Sequence, residues 1–214
     1  DISLNIVNLD MERFYTTIGK PPRLKGKLLS GNIDIEINDK IKDPNPIIFS
    51  NLNFSDGNID DINFTKLSIS SSYRNRRFLV NNISLETELG NLNGNGWFNI
   101  SLNNFKIFNE IEDKIDISLT FDKIDIFKFN RYFPWGFKNK GMLTGQLEIG
   151  GVVSKPKLSS EFIVLDPSFD KIKGKSLSGK LFYNNNKLDF RNLSFNTEYG
   201  RYSGFGYIPL DLSL

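Results

Sequence analysis

The chain of 214 residues contains no cysteine and no histidine. Without cysteine there are no disulfides, so an oxidising and a reducing compartment suit it equally. The lack of both residues excludes the common zinc sites and catalysis by a histidine base or a cysteine nucleophile. Charge of one sign is not in excess either: 27 lysines and arginines stand against 25 aspartates and glutamates. A nucleic-acid binder normally carries a basic surplus on one face, so that class has no electrostatic support. No signal-peptide pattern and no apolar run of about 18 residues is present. The chain opens on Asp1 inside an alternating segment and closes on Leu214 after a strand-like run. The expectation is a piece of a longer protein whose anchor or targeting signal lies elsewhere.

Aromatics at 13% and charged residues at 24% are ordinary for an ordered protein. The strongest signal is internal repetition. Leu67–Leu102 and Leu177–Leu212 align without a gap at an offset of 110 residues. Tyr73 matches Tyr183, Asn82 matches Asn192, and Thr87-Glu88-Leu89-Gly90 matches Thr197-Glu198-Tyr199-Gly200. Gly94 and Gly96 match Gly204 and Gly206. About a third of the aligned positions are identical, the mark of a repeated supersecondary unit. The match extends upstream: Pro46 pairs with Pro156, and Asp56 with Asp166. Two units of roughly six strands follow, residues 1–103 and 104–214, with no Pro/Ser-rich linker between them.

Alternation of period two dominates both units. Ile33, Ile35 and Ile37 alternate with Asp34 and Glu36; Ile115, Ile117, Leu119 and Phe121 alternate with Asp116, Ser118 and Thr120. Such runs are strands with one apolar and one wet face. Arg74-Asn75-Arg76 and Asn184-Asn185-Asn186 fall between apolar runs and read as hairpin loops, because Asn tolerates left-handed dihedrals. The in-strand glycine pairs predict a bulge or bend. Asp125–Phe133 has apolar residues at helical spacing before Pro134, and Leu9–Ile18 is its counterpart, so a short helix is expected in each unit.

These residues carry a resemblance. Gly141-Met142-Leu143-Thr144-Gly145, then Gly150-Gly151, Lys155-Pro156-Lys157-Leu158, the Leu177 hairpin and Gly204-Phe205-Gly206 follow a characteristic order. That order resembles the AsmA-like superfamily, and within it the TamB-like translocation and assembly module subunits. Unit one departs from the phrase: Gly26 and Gly31 stand one residue too far apart, and Asn38-Asp39-Lys40 replaces the double glycine. The resemblance implies an all-β fold: an elongated, curved, mainly antiparallel sheet forming an open apolar groove, with one or two short helices. It implies a non-enzymatic segment of a conduit spanning the periplasm of a diderm bacterium, anchored in the inner membrane. Its role there would be lipid transport and support of outer-membrane protein assembly. Phospholipid acyl chains would be the ligand. An outer-membrane β-barrel partner would engage regions outside this segment.

A sheet with one apolar face must cover that face. The candidate groove lining is Ile33, Ile35, Leu67, Ile69, Val80, Ile83, Leu85, Ile117, Leu119, Leu147, Ile149, Leu181, Phe190, Leu193, Phe195, Leu210 and Leu212. The same positions fit the core of a closed β-fold, as in a structural or adhesive repeat without a lipid ligand. No cofactor, no metal and no nucleic-acid partner is expected. Asp56-Gly57-Asn58-Ile59-Asp60-Asp61 lacks the residue order and trailing Glu of a calcium loop, and reads as a solvated turn. Glu88 and Glu198 flank matching turns and read as surface charge rather than a catalytic carboxylate pair. Arg74, Arg76 and Arg77 would serve solubility or meet lipid headgroups. Phe129, Tyr132, Phe133, Trp135 and Phe137 would cap a groove, meet a membrane interface or pack a helix on the sheet.

Overall fold

The computed structural model describes residues 1–17, 24–37, 46–59, 62–101, 106–107, 113–129 and 139–210. The chain divides into two compact units. Unit one is Asp1–Glu88 with Leu92–Glu110; unit two is Leu89–Asn91 with Ile111–Leu214. Their elements in chain order are β1 (Ile2–Asp10), α1 (Met11–Thr17), β2 (Leu24–Glu36), β3 (Ile47–Ile59), β4 (Ile62–Arg74), β5 (Arg77–Thr87), β6 (Gly90–Ser101) and β7 (Lys106–Ile107). Then come β8 (Lys114–Asp125), α2 (Ile126–Phe129), β9 (Asn139–Val152), β10 (Lys155–Phe169), β11 (Ile172–Lys173), β12 (Ser176–Asn184), β13 (Lys187–Asn196) and β14 (Arg201–Pro209). The fold is all-β with two short helices.

Within each unit the long strands pair in chain order. Unit one runs β1-β2-β3-β4-β5-β6, with β7 beside β6. Unit two runs β8-β9-β10-β12-β13-β14, with β11 beside β10. The pairings from β1 to β5 and from β8 to β14 are antiparallel. The strand path does not close on itself: β1 pairs only with β2, and β14 only with β13, among the described residues. Each unit therefore keeps a free edge.

The repetition is built into the backbone. Both long hairpins turn on two residues with positive φ, Asn75 and Arg76 (51° and 60°) and Asn185 and Asn186 (50° and 57°). Two left-handed residues between antiparallel strands make the mirror-image turn that matches strand twist. Asp56 and Asp166 are left-handed at matching points in β3 and β10 (47° and 49°), and so are Asn8 and Lys123 near the ends of β1 and β8 (56° and 54°). An extra residue of this kind bends a strand and flips the alternation beyond it.

The left-handed residue near the end of β1 and of β8 is followed by an aspartate that starts a helix. Asp10 Oδ1 accepts from the Arg13 amide at 3.1 Å, and Asp125 Oδ1 accepts from the Phe127 and Lys128 amides at 3.0 and 3.3 Å. These are N-caps. The helices fall inside the two stretches that the apolar spacing marks, and residues 130–138 lie outside the described set. Replacing Asp10 with alanine should lower unit-one stability by about 0.5–2 kcal/mol, measured as a shift in urea midpoint.

A bulge does fall at the second in-strand glycine pair, but its extra residue is not on the glycine strand. The irregularity beside Gly204 and Gly206 belongs to the partner strand: the register shifts between Phe190 and Leu193. Asn192 is the left-handed residue there, with φ 52°. The two glycines are the straight side of the bulge; Asn192 makes it because its short amide side chain tolerates that conformation.

Candidate ligand-binding face

The register assembles one apolar face in each unit. In unit one, β1 to β5 align four rows across the sheet. Leu9, Leu28, Phe54, Leu67 and Leu85 form the first; Ile6, Gly31, Leu52, Ile69 and Ile83 the second. Leu4, Ile33, Ser50, Ser71 and Val80 form the third; Ile2, Ile35, Ile48, Tyr73 and Phe78 the fourth. The third row is partly polar, and its two hydroxyls satisfy each other: Ser50 Oγ and Ser71 Oγ lie 2.7 Å apart. Phe98 extends the fourth row, with its ring 5.3 Å from that of Phe78.

A helix covers one end of this face. Met11 of α1 joins Leu28, Phe54, Phe64 and Leu67 in a buried cluster, with Leu9 and Tyr15 packed against it. Away from the helix most of the same face is half-buried or open: Ile33, Ile35, Ile48, Ile69, Val80 and Ile83 are half-buried, and Leu4 is 50% exposed, while Gly31, Ser71 and Tyr73 are buried.

Unit two repeats the arrangement. Ile117, Ile149, Leu158, Tyr183, Leu188 and Ile208 lie in one row; Leu119, Leu147, Ser160, Leu181, Phe190 and Gly206 in the next. Phe121, Gly145 and Phe162 follow, then Ile124, Leu143, Val164, Leu177, Phe195 and Tyr202. Gly145 is not a gap in its row. The Phe121 ring lies over it, so closely that an added Cβ would stand 2.9 Å from the ring and 2.4 Å from the Glu161 carbonyl oxygen.

The opposite face of unit two carries charged pairs together with exposed apolar residues such as Met142, Ile163 and Tyr207. Lys180 pairs with Glu161 at 3.1 Å, and Asp189 is flanked by Lys187 at 2.9 Å and Arg191 at 3.9 Å. The Arg191 guanidinium sits 4.6 Å from the Phe182 ring centre, and the Lys187 ammonium 4.3 Å from that of Tyr207. Such exposed pairs contribute little to stability. In unit one, Ser3 Oγ donates to Asp34 on the corresponding face, which also carries exposed apolar residues such as Phe49 and Leu79.

Each candidate lining residue can now be placed. Ile33, Ile35, Leu67, Ile69, Val80, Ile83 and Leu85 share the apolar face of unit one, Leu67 and Leu85 at its covered end. Ile117, Leu119, Leu147, Ile149, Leu181, Phe190, Leu193 and Phe195 share that of unit two. Leu210 follows the last strand, its amide donating to the Asn186 carbonyl at 2.9 Å, and Leu212 lies outside the described residues. Sequence reasoning missed Leu28, Phe54, Phe78, Phe162 and Tyr183, which stand in the same rows, and read Phe121 as an apolar strand position without placing it in the lining. Tyr73 and Tyr183 were visible as a matched pair in the repeat.

Other constellations are dispersed. Asp56 and Gly57 form a strand bulge, with Asp60 and Asp61 outside the described residues, and no group of three His, Cys, Asp or Glu gathers among the described residues. Glu88 and Glu198 are exposed turn residues. Arg77 lies 4.0 Å over the Trp97 ring, so it is a stacking residue of the hairpin end. Of the aromatic cluster only Phe129 is described. A comparison of the chain with protein-family models, curated proteins and solved structures found no match.

Proposed function

We propose that the apolar face of each unit holds the acyl chains of lipids, and that the chain is a segment of a lipid conduit of the AsmA-like kind, facing the periplasm. The observation that carries this reading is the extent of half-buried apolar rows on an unclosed sheet. A closed β-fold would seal these rows with a second layer. Among the described residues the only elements laid across the strands are α1, packed on β1 and β2, and α2, packed on β8 and β9. Acyl chains suit such a surface. Burial is non-directional and contributes roughly 0.8 kcal/mol per CH₂, so no dedicated polar contact is needed. A chain sliding along equivalent rows exchanges like contacts for like. This is transport without a reacting group, in keeping with the dispersed acids. The role in outer-membrane assembly and the β-barrel partner rest on the family resemblance alone.

Photo-crosslinking side chains test the reading. Placed at Ile83 and Leu181, on the apolar faces, they should label co-purified phospholipid. Placed at Glu86 and Lys180, on the opposite faces, they should not. Equal labelling from both faces would sink the idea.

A further inference from the structure

Given acyl-chain binding, on which this rests, we infer that the paired hydroxyls of Ser50 and Ser71 hold an oxygen set within the lipid's hydrocarbon, an ester carbonyl or a chain hydroxyl. Ser50 and Ser71 stand opposite each other on β3 and β4, in the third row of unit one, between Ile33 and Val80. Apolar rows flank them: Leu52 and Ile69 on one side, Ile48 and Tyr73 on the other. Ser71 is 4% exposed and Ser50 is half-buried. Their oxygens lie 2.7 Å apart, and neither hydroxyl has a further partner among the described residues. Two hydroxyls carry two protons, and their mutual bond spends one. A spare O–H among apolar rows is costly unless it meets an acceptor. Ser71, the buried member, donates to Ser50. Ser50, the more open member, then turns its own O–H outwards, and the bond it receives strengthens it as a donor.

The repeat supplies the contrast. Ser50 and Ser71 correspond to Ser160 and Leu181, again opposite each other on neighbouring strands. Leu181 has no hydroxyl, and Ser160 Oγ donates its proton to the Gln146 carbonyl at 2.8 Å. Unit two therefore offers only hydrocarbon where unit one offers a spare O–H. A plain alkyl chain suits the second position and leaves the first unmet. An oxygen carried by an acyl chain accepts the proton at Ser50, while the flanking methylenes cover the adjoining rows.

Photo-crosslinking side chains at Ile83 and Leu181 read the two units separately. Each such chain is given a diester phospholipid in competition with its diether analogue, which has the same headgroup and chain length but no carbonyl. At Ile83 the diester should be favoured by roughly three- to tenfold, the range that one net hydrogen bond supplies; at Leu181 neither should be. Ser50→Ala with Ser71→Ala removes both hydroxyls and leaves neither unpaired, so the fold should persist. In that variant the preference at Ile83 should vanish while the diether still labels. A diether hydroxylated on one chain separates the two oxygens: a gain over the plain diether at Ile83, lost in the double variant, assigns the chain hydroxyl. No preference for either oxygenated lipid at Ile83, an equal preference at Leu181, or one that survives the double alanine change would overturn the inference and leave acyl-chain binding standing. Failure of all three lipids to label either position would overturn acyl-chain binding, and the inference with it.

Discussion

Replacing Phe54 with alanine should destabilise unit one by about 3–5 kcal/mol, the largest single-site loss expected in the chain. Phe54 is 4% exposed and stands between Leu28 and Leu67 in the row that α1 covers. Removing the ring deletes its transfer energy and leaves a cavity that Met11 and Phe64 can fill only in part, since packed interiors relax incompletely. Phe205 provides the control. It is 91% exposed on β14, and its replacement should change stability by no more than about 0.5 kcal/mol. Urea denaturation of both variants reads the difference. A small loss at Phe54 would mean that α1 does not seal that end of the sheet in solution.

The second large effect concerns the ligand. The double variant Leu147→Asp with Leu181→Asp should lose bound phospholipid. The two leucines lie in one row, separated by Ser160, and both are half-buried. Each loses an apolar contact of roughly 1.5–3 kcal/mol, and each carboxylate must stay hydrated where an acyl chain would lie. Together this corresponds to at least about a hundredfold in affinity. Gln146→Asp with Lys180→Asp changes the adjacent residues of the same strands on the other face, and should keep the lipid. Native mass spectrometry reads both, with circular dichroism to verify that the strands persist. Retention of lipid by the apolar-face variant would refute acyl-chain binding there.

The alternation made these faces legible in advance. Ile33 and Ile35, or Leu147 and Ile149, keep their parity across an uninterrupted run, and the structure puts each pair on one face. Reading failed where a bulge flips the parity. Leu28 and Ile33 share a face although they stand an odd number apart, because the register shifts between Leu28 and Ser30. Phe121 and Ile124 share one for the same reason, through left-handed Lys123. Lysine has no strong preference for that conformation, so nothing at Lys123 announces the bulge. Only its equivalence to Asn8, where the residue type is informative, would have pointed to it. The turns were easier, since Asn75, Asn185 and Asn186 advertise their dihedrals. The all-β fold and both helices were legible; the covered end was not. α1 buries one side chain, Met11, too few for a period to register.

The pairing of strands in chain order has a kinetic consequence. Every long strand finds its partners immediately before and after it, so no distant segment has to be captured first. Closing the tight hairpins, such as β4–β5 and β12–β13, costs only the entropy of a two-residue loop, and low sequence separation between contacts favours rapid folding. Each unit can therefore order progressively, hairpin upon hairpin, while the rest of the polypeptide is still being synthesised.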